Sequence, residues 1–220
     1  MKKLFLSFLV LIFIWPLAIS RQHIHSRQSV PFEGTIEFIQ SNGIDTSCYK
    51  YYIKGNNVRI DDLDAETKKL DGSFLIDLTT KKITALSPGR HLYFYPPASL
   101  PLKPGGKPKA EQTGKTRRIN GYVCRQWLVT DAQEGIKIYY WLAYDHFNFF
   151  DAMLKVLNRK NNFSEYYLQI PGTKGMFPIL AIEEDMAGNK KGEMKAGRII
   201  TTTLNGNLFQ IPSGYTEFNK

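Results

Sequence analysis

The sequence has little cysteine, fewer acidic than basic residues, and one long hydrophobic run. Two cysteines in 220 residues exclude a disulfide-dense scaffold, and without repeats the chain is neither collagen-like nor a coiled coil. Twenty acidic residues against 29 basic ones give a net charge of +9. The whole chain is 43% hydrophobic and 22% charged, which is typical of a globular protein and excludes a disordered chain. A chain of this length holds one domain, or two small ones, without metal or many disulfides.

The hydrophobic run lies at the N-terminus and has the three parts of a secretory signal. Lys2 and Lys3 precede an apolar stretch over residues 4–14, and Ala18 and Ser20 supply the small residues of a cleavage site. The alternative is a membrane anchor, but a span needs about 20 apolar residues and this run is shorter. We therefore predict cleavage after the twentieth residue and an exported protein, periplasmic or extracellular, that is soluble once cleaved.

The predicted organisation has three parts. Residues 1–20 are the signal peptide, residues 21–30 a flexible tail, and residues 31–220 a single β domain. Five prolines and two glycines exclude a helix or a central strand in residues 96–112, so we expect a long exposed loop there.

The mature chain is rich in short segments of alternating polarity. Phe32, Ile36 and Phe38 fall on one face of a segment whose other face is polar, which is typical of a half-buried antiparallel strand. A hairpin pattern follows over residues 49–60. Further strands are predicted at 73–78, 82–86, 91–95, 113–118, 122–130, 136–143, 163–170, 177–184 and 195–204. Many short strands favour a barrel or a sandwich.

One segment has a helical pattern. Phe147, Phe150, Leu154 and Leu157 recur at spacings of three and four, and Asp145 is placed to cap the helix. Because the strand at 136–143 is apolar on both faces, we expect this helix to cover one of them. A lid is the functional alternative to a packed cover.

The two cysteines leave two alternatives open. Cys48 and Cys124 form an even pair in an exported chain, which permits one disulfide. They have no spacing signature, and the alternative is two buried thiols on separate strands.

Catalytic motifs are not found. Neither a nucleophile elbow nor a complete phosphate-binding loop is present, and the histidines and acidic clusters lack the spacing of a metal site. We therefore predict a protein that is not an enzyme and has no cofactor or metal; a hydrolase with an unrecognised site is the remaining alternative.

Basic residues cluster in and just after the proline-rich loop. The cluster consists of Lys103, Lys107, Lys109, Lys115, Arg117 and Arg118. Export argues against nucleic acid as the partner, so an anionic membrane surface fits this charge better. The alternative is a solvated loop without a partner.

Several segments resemble a known group of proteins. They are the strand 32–38, residues 52–59, the pair 116–121 and 122–124, the aromatic segment 91–96, and the closing segment 209–215. With these, the chain resembles the LolA/LolB-like superfamily of periplasmic lipoprotein carriers, and most closely an uncharacterised family of secreted proteins in that group. The resemblance implies a mainly β (α+β) fold: an unclosed antiparallel β-barrel of about 11 strands with at least one covering helix. In the carriers, the concave face holds acyl chains.

The resemblance and the apolar strand faces together predict a binding protein of the cell envelope. Its ligand is hydrophobic, a lipid or the acyl chain of a lipidated protein; the alternative is a structural or protein-interaction component with a filled barrel. The predicted cavity residues are Phe38, Tyr51, Ile60, Phe74, Phe94, Trp127, Tyr140, Leu154 and Ile179. In a curved sheet, these faces should converge on the concave side.

Overall fold

The computed structural model describes residues 30–97 and 104–218. The strands are β1 (Gly34–Ser41), β2 (Thr46–Lys54), β3 (Asn57–Leu63), β4 (Leu70–Asp77), β5 (Lys82–Ser87), β6 (Leu92–Phe94), β7 (Lys109–Ile119), β8 (Tyr122–Asp131), β9 (Ile136–Tyr144), β10 (Met176–Asp185), β11 (Lys190–Thr201) and β12 (Thr216–Glu217). The helices are α1 (Phe149–Leu157) and α2 (Asn162–Tyr167), with short 3-10 turns at Pro88–Arg90 and Gly206–Phe209. In this part of the chain, no helix is long and apolar enough to cross a membrane.

All twelve strands belong to one sheet that does not close. Their order is β12-β6-β5-β4-β3-β2-β1-β11-β10-β9-β8-β7, so β12 and β7 are the edges. Neighbours are antiparallel except β12, which pairs with β6 in parallel through two residues. The sheet is thus the unclosed, LolA-like antiparallel barrel that was predicted, with twelve strands instead of about eleven.

Both helices pack on one face of the sheet and fill it with aromatic side chains. The Phe150 ring of α1 lies 4.7 Å from the ring of Phe177 on β10 and 5.0 Å from that of Tyr167 on α2. The Tyr140 hydroxyl on β9 donates to the carbonyl of Phe163 at 2.9 Å. Because the aromatic edges and faces interlock, helices and sheet share one hydrophobic core.

The strand predicted at 163–170 is wrong, because this segment forms α2. Its apolar residues satisfy a spacing of three and four as well as alternation, and the helix ends decide between the two. Asn161 caps α2. Its side-chain oxygen accepts from the backbone N–H of Ser164 at 3.3 Å, and its backbone N–H donates to the Glu165 carboxylate at 3.1 Å. These reciprocal bonds satisfy backbone groups at the start of the helix.

Two boundaries differ from the prediction. The N-cap of α1 is Asn148 and not Asp145, so the helix starts later than its apolar stripe. The loop predicted at 96–112 ends before Lys109, where β7 begins and pairs with Thr130 of β8. No proline follows Pro108 in that segment, so nothing prevents its last four residues from pairing. Residues 98–103 of this loop, the signal peptide 1–20 and the tail residues up to 29 lie outside the described residues.

The two cysteines are free thiols, and both are buried. Cys48 lies on β2 and Cys124 on β8, and four strands separate β2 from β8 in the sheet. Of the two alternatives that the sequence leaves open, this structure has the two buried thiols on separate strands.

Candidate functional site

Four of the predicted cavity residues form one row across half of the sheet. Tyr51 pairs with Ile60, Ile60 with Phe74, and Phe74 with Ala85, which pairs in turn with Phe94. Directly paired residues of antiparallel strands project to the same face. The period-two pattern therefore placed Tyr51, Ile60, Phe74 and Phe94 correctly on one face.

Trp127 and Tyr140 are brought together in the other half, where they pair across β8 and β9. Tyr140 also pairs with Ala181 of β10. Ile179 of β10 is fully buried at an irregularity of the ladder between Pro178 and Leu180.

Where the helices cover the sheet, the predicted cavity is nearly filled. Phe38 is buried against the rings of Tyr51, at 5.6 Å, and Phe177, at 6.1 Å. Leu154 of α1 closes over Tyr51 and Ile60, and the space left beside them is about 60 Å³. This space is too small for a long acyl chain, since ligand pockets usually enclose roughly 300–1,000 Å³. Burial raises the pKa of the Tyr51 phenol, which therefore stays neutral inside the protein.

Phe74 and Phe94 lie toward the β6 end of the row and have different surroundings. The guanidinium of Arg159, just after α1, stacks over the Phe74 ring at 4.3 Å. Phe94 remains 42% exposed and lies outside the core. The structure thus keeps Phe94 on the predicted face but not in a shared cavity.

An open groove of about 430 Å³ lies on the face of β8 and β9 that carries Trp127. Its described lining residues are Gln112, Val123, Arg125, Trp127, Leu142, Tyr144 and Met176. Val123 is 55% exposed and Tyr144 is 62% exposed, although both are large apolar side chains on strands. Of the nine predicted cavity residues, Trp127 is the one that lines this groove.

A bulge in the edge strand borders the groove. Gln112 pairs with Trp127 and Thr116 with Arg125, so β7 has two more residues than β8 over this stretch. The left-handed Gly114 lies within the bulge, and the Thr113 hydroxyl donates to the Gln126 side chain at 2.9 Å. Bulges bend a strand and increase its twist. The bend therefore falls at the place where the edge strand borders Trp127.

The groove has one charge among its described lining residues, that of Arg125, which is exposed. No described carboxylate forms a salt bridge with Arg125. Most of the described side chains that line the groove are thus apolar; Gln112 is polar and Arg125 carries the positive charge.

The predicted basic cluster does not form a single surface. Lys109 and Arg117 pair with Thr130 and Cys124, whereas Arg118 pairs with Val123 and so projects to the opposite face of β7. The remaining members, Lys107 and Lys115, are exposed, and Lys103 lies outside the described residues. The contact with an anionic membrane stays a prediction.

A second groove, of about 370 Å³, runs between the start of the domain and α1. Its main apolar side chains, Phe32 and Phe149, are already buried in the core, and its rim is formed by polar residues such as Asn56, Asn148 and Lys174. The groove at Trp127 offers more apolar surface to a ligand. In the described ranges, no group of three metal-ligating side chains comes together.

Most of the groove was missed by sequence reasoning, although part of its signal is local. Val123 and Arg125 have the same parity as Trp127 on β8, so the period of two already puts them on its face. Their exposure depends on which other elements pack against this face, and a residue pattern does not show that.

The fold and this groove define a class of protein: an open antiparallel barrel with two helices packed on one face and an apolar groove toward the β7 edge. The chain belongs to the family described as Domain of unknown function (DUF4412), whose model matches residues 32–215. The uncharacterised family that the sequence resembles is thereby confirmed. A search of curated proteins gives no match.

Three solved structures illustrate the likeness. An uncharacterized conserved protein from Thermus thermophilus is 9% identical, with 86% of this chain and 91% of that chain covered and a TM-score of 0.50. The MucA/MucB complex of Pseudomonas aeruginosa is 14% identical, with 81% and 54% covered and a TM-score of 0.45. A putative outer membrane lipoprotein-sorting protein domain from Vibrio parahaemolyticus is 12% identical, with 80% and 87% covered and a TM-score of 0.31. This chain spans about half the length of the matched chain in the MucA/MucB complex. At 9% identity, the likeness to the Thermus protein shows a shared fold and nothing about function.

Proposed function

We propose that this protein is an exported, non-enzymatic binding protein of the cell envelope whose ligand carries a hydrophobic chain. The binding site is the groove beside β7, with Trp127, Leu142 and Met176 against the chain and Val123 and Tyr144 at its rim. The observation that carries the proposal is the exposure of large apolar side chains within a groove of about 430 Å³. Its volume lies within the range of known ligand pockets.

The free energy of transfer from water favours a hydrocarbon chain over a polar ligand in this groove. Each CH₂ group transferred from water into such a groove gains about 0.8 kcal/mol, so a chain needs no specific polar contact to bind. Exposed apolar patches on a protein surface commonly mark such interaction sites. The absence of a recognisable ligand motif in the sequence fits this mode of binding.

A second candidate function is a structural or protein-interaction component of the envelope. The packing between sheet and helices favours it, because only about 60 Å³ remains beside Tyr51 and Ile60. In this alternative the groove at Trp127 holds no ligand. The two candidates therefore differ in whether the groove binds a free hydrophobic chain.

A pair of matched variants tests the proposal. Val123→Asp puts a charge in the groove, whereas Ile39→Asp puts one at a similarly exposed position on β1, with Ile39 46% exposed and not among the groove's lining residues. The probe is a fluorescent monoacylglycerol, which is neutral and has one chain. We expect Val123→Asp to weaken its binding at least about tenfold, which corresponds to about 1.4 kcal/mol.

The control should bind as the wild-type protein does, and both variants should keep its melting temperature within a few degrees. If the wild-type protein does not bind the probe, or if both variants bind it equally well, the groove is not the site. The structural role would then be the better account.

A further inference from the structure

The described lining of the groove at Trp127 contains one positively charged side chain, that of Arg125, beside its apolar residues. Arg125 lies on β8 between Val123 and Trp127 in the alternation, so its side chain projects to the face that carries both. It lines the groove together with Leu142, its partner on β9. The described lining contains no carboxylate that would neutralise it.

We propose, building on the proposed function, that the groove selects a single-chain amphiphile with an anionic head group. The chain lies along Trp127, Leu142 and Met176, and the head pairs with the guanidinium of Arg125. A guanidinium presents its donors in a planar fork that matches a carboxylate or a phosphate, and it is always charged.

Three observations support an anionic ligand over a neutral one. Arg125 is exposed and makes no salt bridge with a described carboxylate, so binding an anion breaks no ion pair with a described residue. Arg118, which pairs with Val123, adds a second cation on the same face. The neighbouring polar residues, Gln112 and Thr116, are uncharged and provide hydrogen-bond donors.

The volume of the groove argues for one chain. About 430 Å³ lies at the low end of the range for ligand pockets, so a slender chain fits better than a lipid with several chains. The space beneath the helices does not enlarge the groove, because side chains nearly fill it. The ligand class is thus narrower than lipids in general.

Two ligands with alkyl chains of the same length test this inference. Dodecanoate and dodecanol differ only in the head group, and both are titrated below the concentration at which they aggregate. We expect the wild-type protein to bind dodecanoate about tenfold more tightly than dodecanol, and this preference to shrink as salt rises. In Arg125→Gln the preference should vanish, because the affinity for dodecanoate falls to about that for dodecanol.

Arg117→Gln is the matched control. Arg117 is an equally charged, exposed residue of β7, but it pairs with Cys124 and therefore projects away from the groove. This variant should retain the preference for dodecanoate. A preference that survives in Arg125→Gln, or that is lost equally in Arg117→Gln, overturns the role of Arg125.

The outcomes separate this inference from the proposed function. If dodecanol and dodecanoate bind equally well to the wild-type protein, the apolar site stands and the anionic selectivity is wrong. If neither of them binds, the proposed function itself fails.

Discussion

At the scale of single residues, burial controls the chemistry of Cys124. The side chain is fully buried on β8, and this burial raises the pKa of its thiol to about 11, opposed by a weaker effect of a backbone hydrogen bond at Ile119. Because the thiolate is the nucleophile, a thiol with so high a pKa is unreactive near neutral pH. The even number of cysteines alone could not reveal this state.

We therefore predict that iodoacetamide at pH 7.5 leaves Cys124 unmodified in the folded protein. After unfolding without reductant, both Cys48 and Cys124 should be alkylated, which mass spectrometry detects as two additions. In Cys124→Ser one addition should remain. Protein that gains thiols only after reduction would instead contain a disulfide and contradict the structure.

At the scale of elements, the segment that follows β11 is held against the sheet by polar contacts. The Leu204 amide donates to a Glu33 carboxylate oxygen at 2.9 Å, and the Lys54 ammonium donates to the Leu204 carbonyl at 2.5 Å. Lys54 and Glu33 also form a salt bridge at 3.3 Å. Farther along, Arg59 donates to the Leu208 carbonyl at 3.3 Å. The start of the domain and strands β2 and β3 thus each hold part of the C-terminal segment.

This arrangement should loosen in acid. The hydrogen bond from the Leu204 amide, together with Lys54, lowers the pKa of the Glu33 carboxyl. A lowered pKa in the folded state stabilises the protein above the ordinary carboxyl pKa, and this contribution is lost as pH falls through the lowered value. Because Glu33 is partly exposed, solvent screening limits the effect to about 1 kcal/mol or less.

We predict that hydrogen exchange at the Leu204 amide, corrected for its intrinsic pH dependence, accelerates severalfold between pH 6 and pH 3. Glu33→Gln keeps an oxygen acceptor but removes the titration, so the protection should no longer depend on pH. Glu217→Gln, at an exposed position on β12, serves as the control and should behave as the wild-type protein. An equal acid response in Glu33→Gln would show that another group is responsible.

At the scale of the whole molecule, the open barrel has one face that its own strands cannot cover. The two helices cover part of that face with side chains such as Phe150, Leu154 and Tyr167, and an apolar groove stays open toward the β7 edge. Helices packed this closely to a sheet behave as part of its core, since protein interiors are nearly as dense as organic crystals. The ligand site proposed here is therefore beside the helices and not beneath them.

Export is the prediction that concerns the entire chain. If residues 1–20 are a signal peptide, N-terminal sequencing of the exported protein should begin close to Arg21. Ala18→Arg should block this processing, because the third residue before the cleavage site, like the last one, has to be small. An unprocessed chain that begins at Met1 in a membrane fraction would contradict the prediction.

The sequence by itself determined the alternation of strands and the faces on which their side chains lie. Tyr51, Ile60, Phe74 and Phe94 were assigned to one face correctly, because a period of two is a local property of an extended backbone. The helical stripe that ends at Leu157 was equally local. The local pattern did not determine the structure of segment 163–170, because its apolar residues fit both a strand and a helix. The cap at Asn161 favours the helix.

Only the tertiary structure decided which part of that shared face is filled and which part is open. Leu154 packs over Tyr51 and Ile60 because α1 and α2 return onto the sheet there, whereas Trp127 borders an open groove beside the bulge of β7 at Gly114. Both outcomes depend on contacts between segments that are far apart in sequence. Residue pattern specifies which side chains face inward, but the packing of other elements against them sets how much space remains.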